Sequence, residues 1–90
     1  MGNSFSRVLT KIQLWMSTSA AEPEMNREML RSGVEALTVL ILSIGGIRSL
    51  RALCAAEPDT IKQLLESYHI LPTDVQTARV IQVRTILHIH

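Results

Sequence analysis

Residues Val34–Ile47 read V-E-A-L-T-V-L-I-L-S-I-G-G-I, and the nature of this stretch decides the fold. No charge falls between Ala36 and Ile47, and Val39, Leu40, Ile41 and Leu42 are consecutive. As an α-helix the run is apolar on every side, the mark of a helix buried in protein or in lipid. These twelve uncharged residues span only about 18 Å as a helix, against roughly 30 Å of bilayer hydrocarbon. Glu35 and Arg48 close the run. The length favours a central core helix over a membrane segment, and a charge placed at Leu40 is expected to unfold the chain.

The flanks supply what would cover such a helix. Upstream, Glu22-Pro23-Glu24 reads as a helix start, with Pro23 at the first helical position and Glu24 favourable to the helix dipole. Met25, Met29 and Leu30 give an apolar edge, and Gly33 suits a left-handed helix end. Downstream, Gly45-Gly46 is the clearest break. Ile47, Leu50, Leu53 and Cys54 then lie on one face of a short helix, which predicts Val34–Ile47 packed between Pro23–Ser32 and Ile47–Ala56. Glu57-Pro58-Asp59 opens the next helix, whose Ile61, Leu64, Leu65 and Tyr68 recur at i, i+3, i+4 and i+7. Leu71-Pro72 stops it, because a residue before proline is pushed out of the α region. Thr73-Asp74-Val75-Gln76 matches a capping box. In Val80–His90 the cap and the i, i+3 spacing of Val80, Val83, Ile86 and Ile89 favour a helix, while the β-branched content favours a strand.

Ninety residues allow one small domain with a thin core. A net charge of +1, with no Lys/Arg cluster interleaved with aromatics, lacks the electrostatic footprint of a nucleic-acid binder. The single cysteine, Cys54, excludes an internal disulfide.

Residues 1–21 differ in character from 22–90 and are treated as a separate targeting segment. They hold Arg7 and Lys11 and no acid. Phe5, Val8, Leu9, Ile12, Trp15 and Met16 recur at helical spacing. An amphipathic helix is the preferred reading, although the alternation of Val8, Thr10, Ile12 and Leu14 permits a strand. Met1-Gly2-Asn3-Ser4-Phe5-Ser6 matches the N-myristoylation pattern at Gly2, and it resembles the start of the recoverin-type calcium sensors over those six residues. One acyl chain binds membranes only marginally and needs a second signal. Phe5, Arg7, Lys11 and Trp15 could supply it as membrane contacts. The competing address is a mitochondrial presequence, since the segment is acid-free, Ser-rich and amphipathic.

Ala20-Ala21-Glu22-Pro23-Glu24 recurs as Ala55-Ala56-Glu57-Pro58-Asp59, 35 residues later. In that register Met29 answers Leu64, Leu30 answers Leu65 and Ser32 answers Ser67. Repetition of this length with two or three helices per unit points to an α-solenoid. Here the chain resembles the armadillo repeat family. Asn26–Leu37 looks like the family's first-to-second helix junction, Ile47–Ala56 like a shortened third helix, and Asp59–Pro72 like the next junction. The resemblance implies an all-α fold of two armadillo-like units and a protein partner. The chain departs from the family in its short spacing, in Tyr68-His69 where a Gly is usual, and in lacking an Asn within Ala52–Ala55. A small helical bundle is the alternative architecture, also all-α.

No motif carries catalytic chemistry, so an enzyme is not expected. His88 and His90, two residues apart, have no Cys, Asp or Glu near them in sequence, and no metal site or cofactor is expected. Cys54 lies among Ala and Leu, as a structural thiol does. Gly45-Gly46 lacks the Lys of a phosphate loop. The expected function is a non-catalytic, armadillo-like protein-binding adaptor in the cytoplasm, tethered to membranes through Gly2. Ile61, Leu64, Leu65 and Tyr68, with Val80, Val83 and Ile86, are the candidate contacts to another protein or to a second copy. These same residues also suit a core. The alternatives are a small myristoylated, membrane-active accessory protein of viral type and a shortened isoform of a longer repeat protein.

Overall fold

Proline opens two of the helices and left-handed residues close three, so the chain is cut into short rods that must pack on one another. The computed structural model describes residues 21–89. They form α1 (Pro23–Arg31), α2 (Ala36–Ile44), α3 (Leu50–Ala55), α4 (Pro58–Ser67) and α5 (Val75–Ile89), with no strand among the described residues. The fold is all-α, and its architecture is that of a small helical bundle. The ambiguous C-terminal segment is helix through Ile89.

Three helix ends share one construction. Gly33, Gly46 and His69 each take a positive φ, of 85°, 91° and 68°. Val34 N–H then donates to Met29 O at 3.0 Å, Ile47 N–H to Leu42 O at 2.9 Å, and Ile70 N–H to Leu65 O at 3.0 Å. These six-to-one bonds, each followed one residue inward by a shorter closure, satisfy the last carbonyls of α1, α2 and α4. The side chains of their acceptor residues Met29, Leu42 and Leu65 are all fully buried, so each stop falls at a core position. His69 fills at the second junction the conformational role that Gly33 fills at the first, at a cost glycine does not carry.

The duplicated pentapeptide builds two equivalent helix starts and no more. Glu22 and Glu57 precede Pro23 and Pro58 at the first helical position. Beyond that point α4 is one residue longer than α1. Met25 and Met29 are the buried residues of α1, and their counterparts in α4 are Ile61 and Leu65, 36 residues later. The pairing of Met29 with Leu64 and of Leu30 with Leu65 is therefore corrected by one position. A single added residue turns a helix by about 100°, so the start register and the burial register cannot both be 35.

α2 packs chiefly on α1 and α4, and α5 packs on α3 and α4. The expected cover by Ile47–Ala56 is corrected, since the main partner of α3 is α5. Ser49 caps α3 by accepting from Ala52 N–H at 3.1 Å. Its C-terminal carbonyls are bound from α5: Arg84 Nε donates to Ala56 O at 2.6 Å and His88 Nε2 to Cys54 O at 2.9 Å. Donors of this kind suit the negative end of a helix.

α5 starts differently from the expected capping box. Asp74, not Thr73, accepts from Gln76 N–H at 2.8 Å. The buried Gln76 side chain crosses to the α1–α2 turn instead of folding back. Its Oε1 accepts from Glu35 N–H at 2.7 Å and from the Thr38 hydroxyl at 3.2 Å. Gly33 O at the same turn accepts from Arg79 Nη1 at 2.8 Å and, at 3.4 Å, from Gln76 Nε2. The inward face of α5 runs through Gln76, Val80, Val83 and Leu87. Steps of three fall short of a turn by about 60° each, so Ile86 and Ile89, expected on that face, rotate off it and are exposed.

Candidate functional site

The uncovered side of α2 is the feature the core-helix expectation missed. Thr38, Val39, Ile41, Leu42 and Ser43 are buried. Leu37 is 62 % exposed and Ile44 37 %. Ala36 is exposed and Leu40 is half-buried. At about 100° per residue, Ala36, Leu37, Leu40 and Ile44 fall on one arc of roughly 100°. The helix is apolar all round, yet only two thirds of its circumference has a protein neighbour. Leu40 therefore belongs to the open side, and the charge test proposed for it belongs to Leu42, which is fully buried.

Ala36, Leu37 and Leu40 of this stripe, with Val39 and Ser43 beside them, form one wall of a groove of about 400 Å³ that Ala21 and Asn26 also line. Asn26 comes from α1, and Leu30, one turn further along the same helix, is 51 % exposed. Among the described lining residues none carries a charge. Ser43 directs its hydroxyl to Leu40 O at 2.7 Å, inside its own helix. Among the described residues no buried side-chain nitrogen or oxygen lacks a partner, so no polar atom there waits for a ligand. Such a groove can select apolar surface by shape and burial, with Asn26 the one lining amide at its edge.

The sequence candidates fall elsewhere. Ile61 and Leu65 are fully buried and belong to the core, as do Val80 and Val83. They are corrected as partner contacts, because their apolar surface is already buried in the common core. Leu64 is half-buried and covers Gly45, where an added Cβ would collide with the Leu64 methyls. Tyr68, 44 % exposed at the end of α4, and Ile86 remain accessible. The structure does not bring them to the groove-lining set. Gly2, Phe5, Arg7, Lys11 and Trp15 lie outside the described residues. Cys54 is half-buried with no disulfide partner. Among the described residues no group of three or more His, Cys, Asp or Glu is placed to hold a metal ion. No described helix is long and apolar enough to cross a membrane.

The groove was missed because hydropathy alone marks all of α2 as core. The signal was present in its neighbours: α1 and α4 offer narrow apolar edges, too little surface to surround a helix that is apolar on every side. Compared with protein-family models, with curated proteins and with solved structures, the chain matches none.

Proposed function

We propose that this chain is a non-catalytic protein-binding module, an armadillo-like adaptor whose α1–α2 groove receives the apolar face of a helical segment. The observation that carries the reading is the pair Leu37 and Leu40 open along the groove, with exposed Ile44 on the same face of the helix. A helical ligand lays apolar anchors one turn apart into a hydrophobic groove, and the apolar wall of Ala36, Leu37 and Leu40 offers such anchors a surface to bury against. The absence of charge along the lining fits a partner chosen by shape more than by electrostatics. Acylation at Gly2, assisted by Phe5, Arg7, Lys11 and Trp15, would hold the module at a membrane surface.

The test is quantitative affinity purification from eukaryotic cells of the wild type, Leu37→Asp and Gly2→Ala. Leu37 is the second residue of α2, where an acid suits the helix dipole, so the folded state tolerates the change. The reading expects Leu37→Asp to lose the specific partners and keep the wild-type circular dichroism spectrum. Gly2→Ala should keep the partners and leave the membrane fraction. A Leu37→Asp protein with an unchanged partner set would remove the groove from the account.

A further inference from the structure

The helix hairpins α1–α2 and α4–α5 leave different sides of their second helices open. α5 begins 39 residues after α2. At that offset buried Thr38 answers buried Thr77, and buried Ile41 answers buried Val80, so the two helices share an inner face. They differ on either side of it. Gln76 and Val83 of α5 are buried, and Gln76 and Arg79 bond to the α1–α2 turn. Their counterparts in α2 are Leu37, Ile44 and Leu40, the open stripe. In the other direction, Val39 and Ser43 of α2 are buried, while their counterparts Ala78 and Gln82 are exposed. The side on which α5 meets the first hairpin is the side that α2 leaves open.

α5 in turn carries an open face of its own. Val75, Ala78, Gln82, Ile86 and Ile89 are all exposed. At about 100° per residue they fall on one arc of roughly 80°. We propose that the α1–α2 groove of one copy receives this outer face of α5 from a second copy, head to tail. The proposal rests on the groove being a site for the apolar face of a helix, and it names that helix.

Charge agrees with this occupant. The three basic side chains of α5 are each turned to a backbone carbonyl of another element: Arg79 to Gly33 O, Arg84 to Ala56 O and His88 to Cys54 O. Its outer face is left without a charge, as the described groove lining is. The exposed charges beside that lining are Glu22, Arg27 and Glu35, with Arg48 at the Glu22 end, where its carbonyl accepts from Glu22 N–H. Two acids and two bases leave the groove edge with no net charge. Two uncharged apolar surfaces can be joined without stranding a charge. Length agrees as well, since the fifteen-residue α5 is about 22 Å long and spans the nine-residue α2 of about 14 Å.

A contact of this kind is heterologous: it uses the groove of one copy and the α5 face of the next, and each added copy brings a new open groove or a new open face. In stacks of repeated units a polar outer face stops such growth. Here Leu37, Leu40 and Ile44 mark one open side, and Val75, Ile86 and Ile89 the other. A partner helix bound in the groove would cap the array, so partner binding and self-association compete.

The experiment is sedimentation velocity of the full-length, unacylated chain from low to high concentration, for wild type, Leu37→Asp and Ile86→Glu. Both substitutions are at exposed positions, glutamate is a strong helix former, and circular dichroism checks that each variant is folded. The two introduced charges have the same sign, so the altered surfaces cannot pair with each other. The proposal expects the wild-type average mass to rise with concentration past twice the chain mass, and each variant alone to stay monomeric. An equimolar mixture of the two variants should form a dimer and stop there, because one supplies the intact α5 face and the other the intact groove. A wild type that is monomeric throughout would overturn the proposal and leave the partner-binding reading standing. That reading fails separately, through an unchanged partner set for Leu37→Asp in cells. Association lost in Leu37→Asp but kept in Ile86→Glu would give the groove another occupant and overturn the proposal. A mixture that stays monomeric would show that the contact is not head to tail and also refute it.

Discussion

The two sides of α2 are made of the same kinds of residue and do opposite things. Val39, Ile41 and Leu42 turn inward and meet α1 and α4. Leu37, Leu40 and Ile44 turn outward and line or border an open groove. Hydropathy cannot separate Leu42 from Leu37. The supply of apolar surface on the neighbouring helices can. α1 buries Met25 and Met29, and α4 buries Ile61 and Leu65. Two such narrow stripes cover one helix incompletely, and the remainder stays exposed. Contiguous exposed apolar patches are a common mark of interaction sites.

The inner side should break first and hardest. Leu42→Ala removes a fully buried side chain and leaves in place the bond from Ile47 N–H to the residue's backbone carbonyl. It is expected to cost about 2–5 kcal/mol, enough to unfold much of so small a domain. Urea or thermal unfolding followed by circular dichroism reads this directly.

A smaller effect is expected where the inner side is held by polar contacts. Gln76→Ala leaves Glu35 N–H and the buried Thr38 hydroxyl without their shared acceptor. The expected loss is about 1–3 kcal/mol. Because the bond ties α5 to the start of α2, amide exchange should accelerate at Glu35 and Thr38 before it does in α3. Uniform acceleration along the chain would show that Gln76 is no latch.

The smallest change should stabilise. His69→Gly relieves a left-handed backbone at φ 68° without touching the groove. A gain of about 0.5–1 kcal/mol is expected. A loss of stability would mean that the exposed imidazole makes contacts worth more than the strain.

How far the sequence carried the fold can be seen at single residues. The Glu-Pro starts of α1 and α4, the stops at Gly33 and Gly46, and the short α3 follow from local chemistry, and each stands where its residues predict. The capping box and the burial register did not follow. Asp74 competes with Thr73 for the same cap, and sequence does not rank them; the added residue in α4 moves the core face without altering the helix start. Nor could Gln76 be read as a latch, because its partners Glu35 and Thr38 are about forty residues away and meet it only after folding. As for the site, Ile61 and Leu65 had the strongest helical pattern in the chain, and strong patterning marks core more often than contact. The open stripe appears only once the packing of α1 and α4 on α2 is known.

The division of α2 into a core side and a binding side is tested most directly by one paired measurement, the urea unfolding midpoints of Leu42→Ala and Leu37→Asp against wild type. Leu42→Ala should lose about 2–5 kcal/mol. Leu37→Asp should lose on the order of 1 kcal/mol or less, at an exposed site where an acid suits the helix start. Equal, large losses in both variants would mean that Leu37 is core, and the groove would have no part in function.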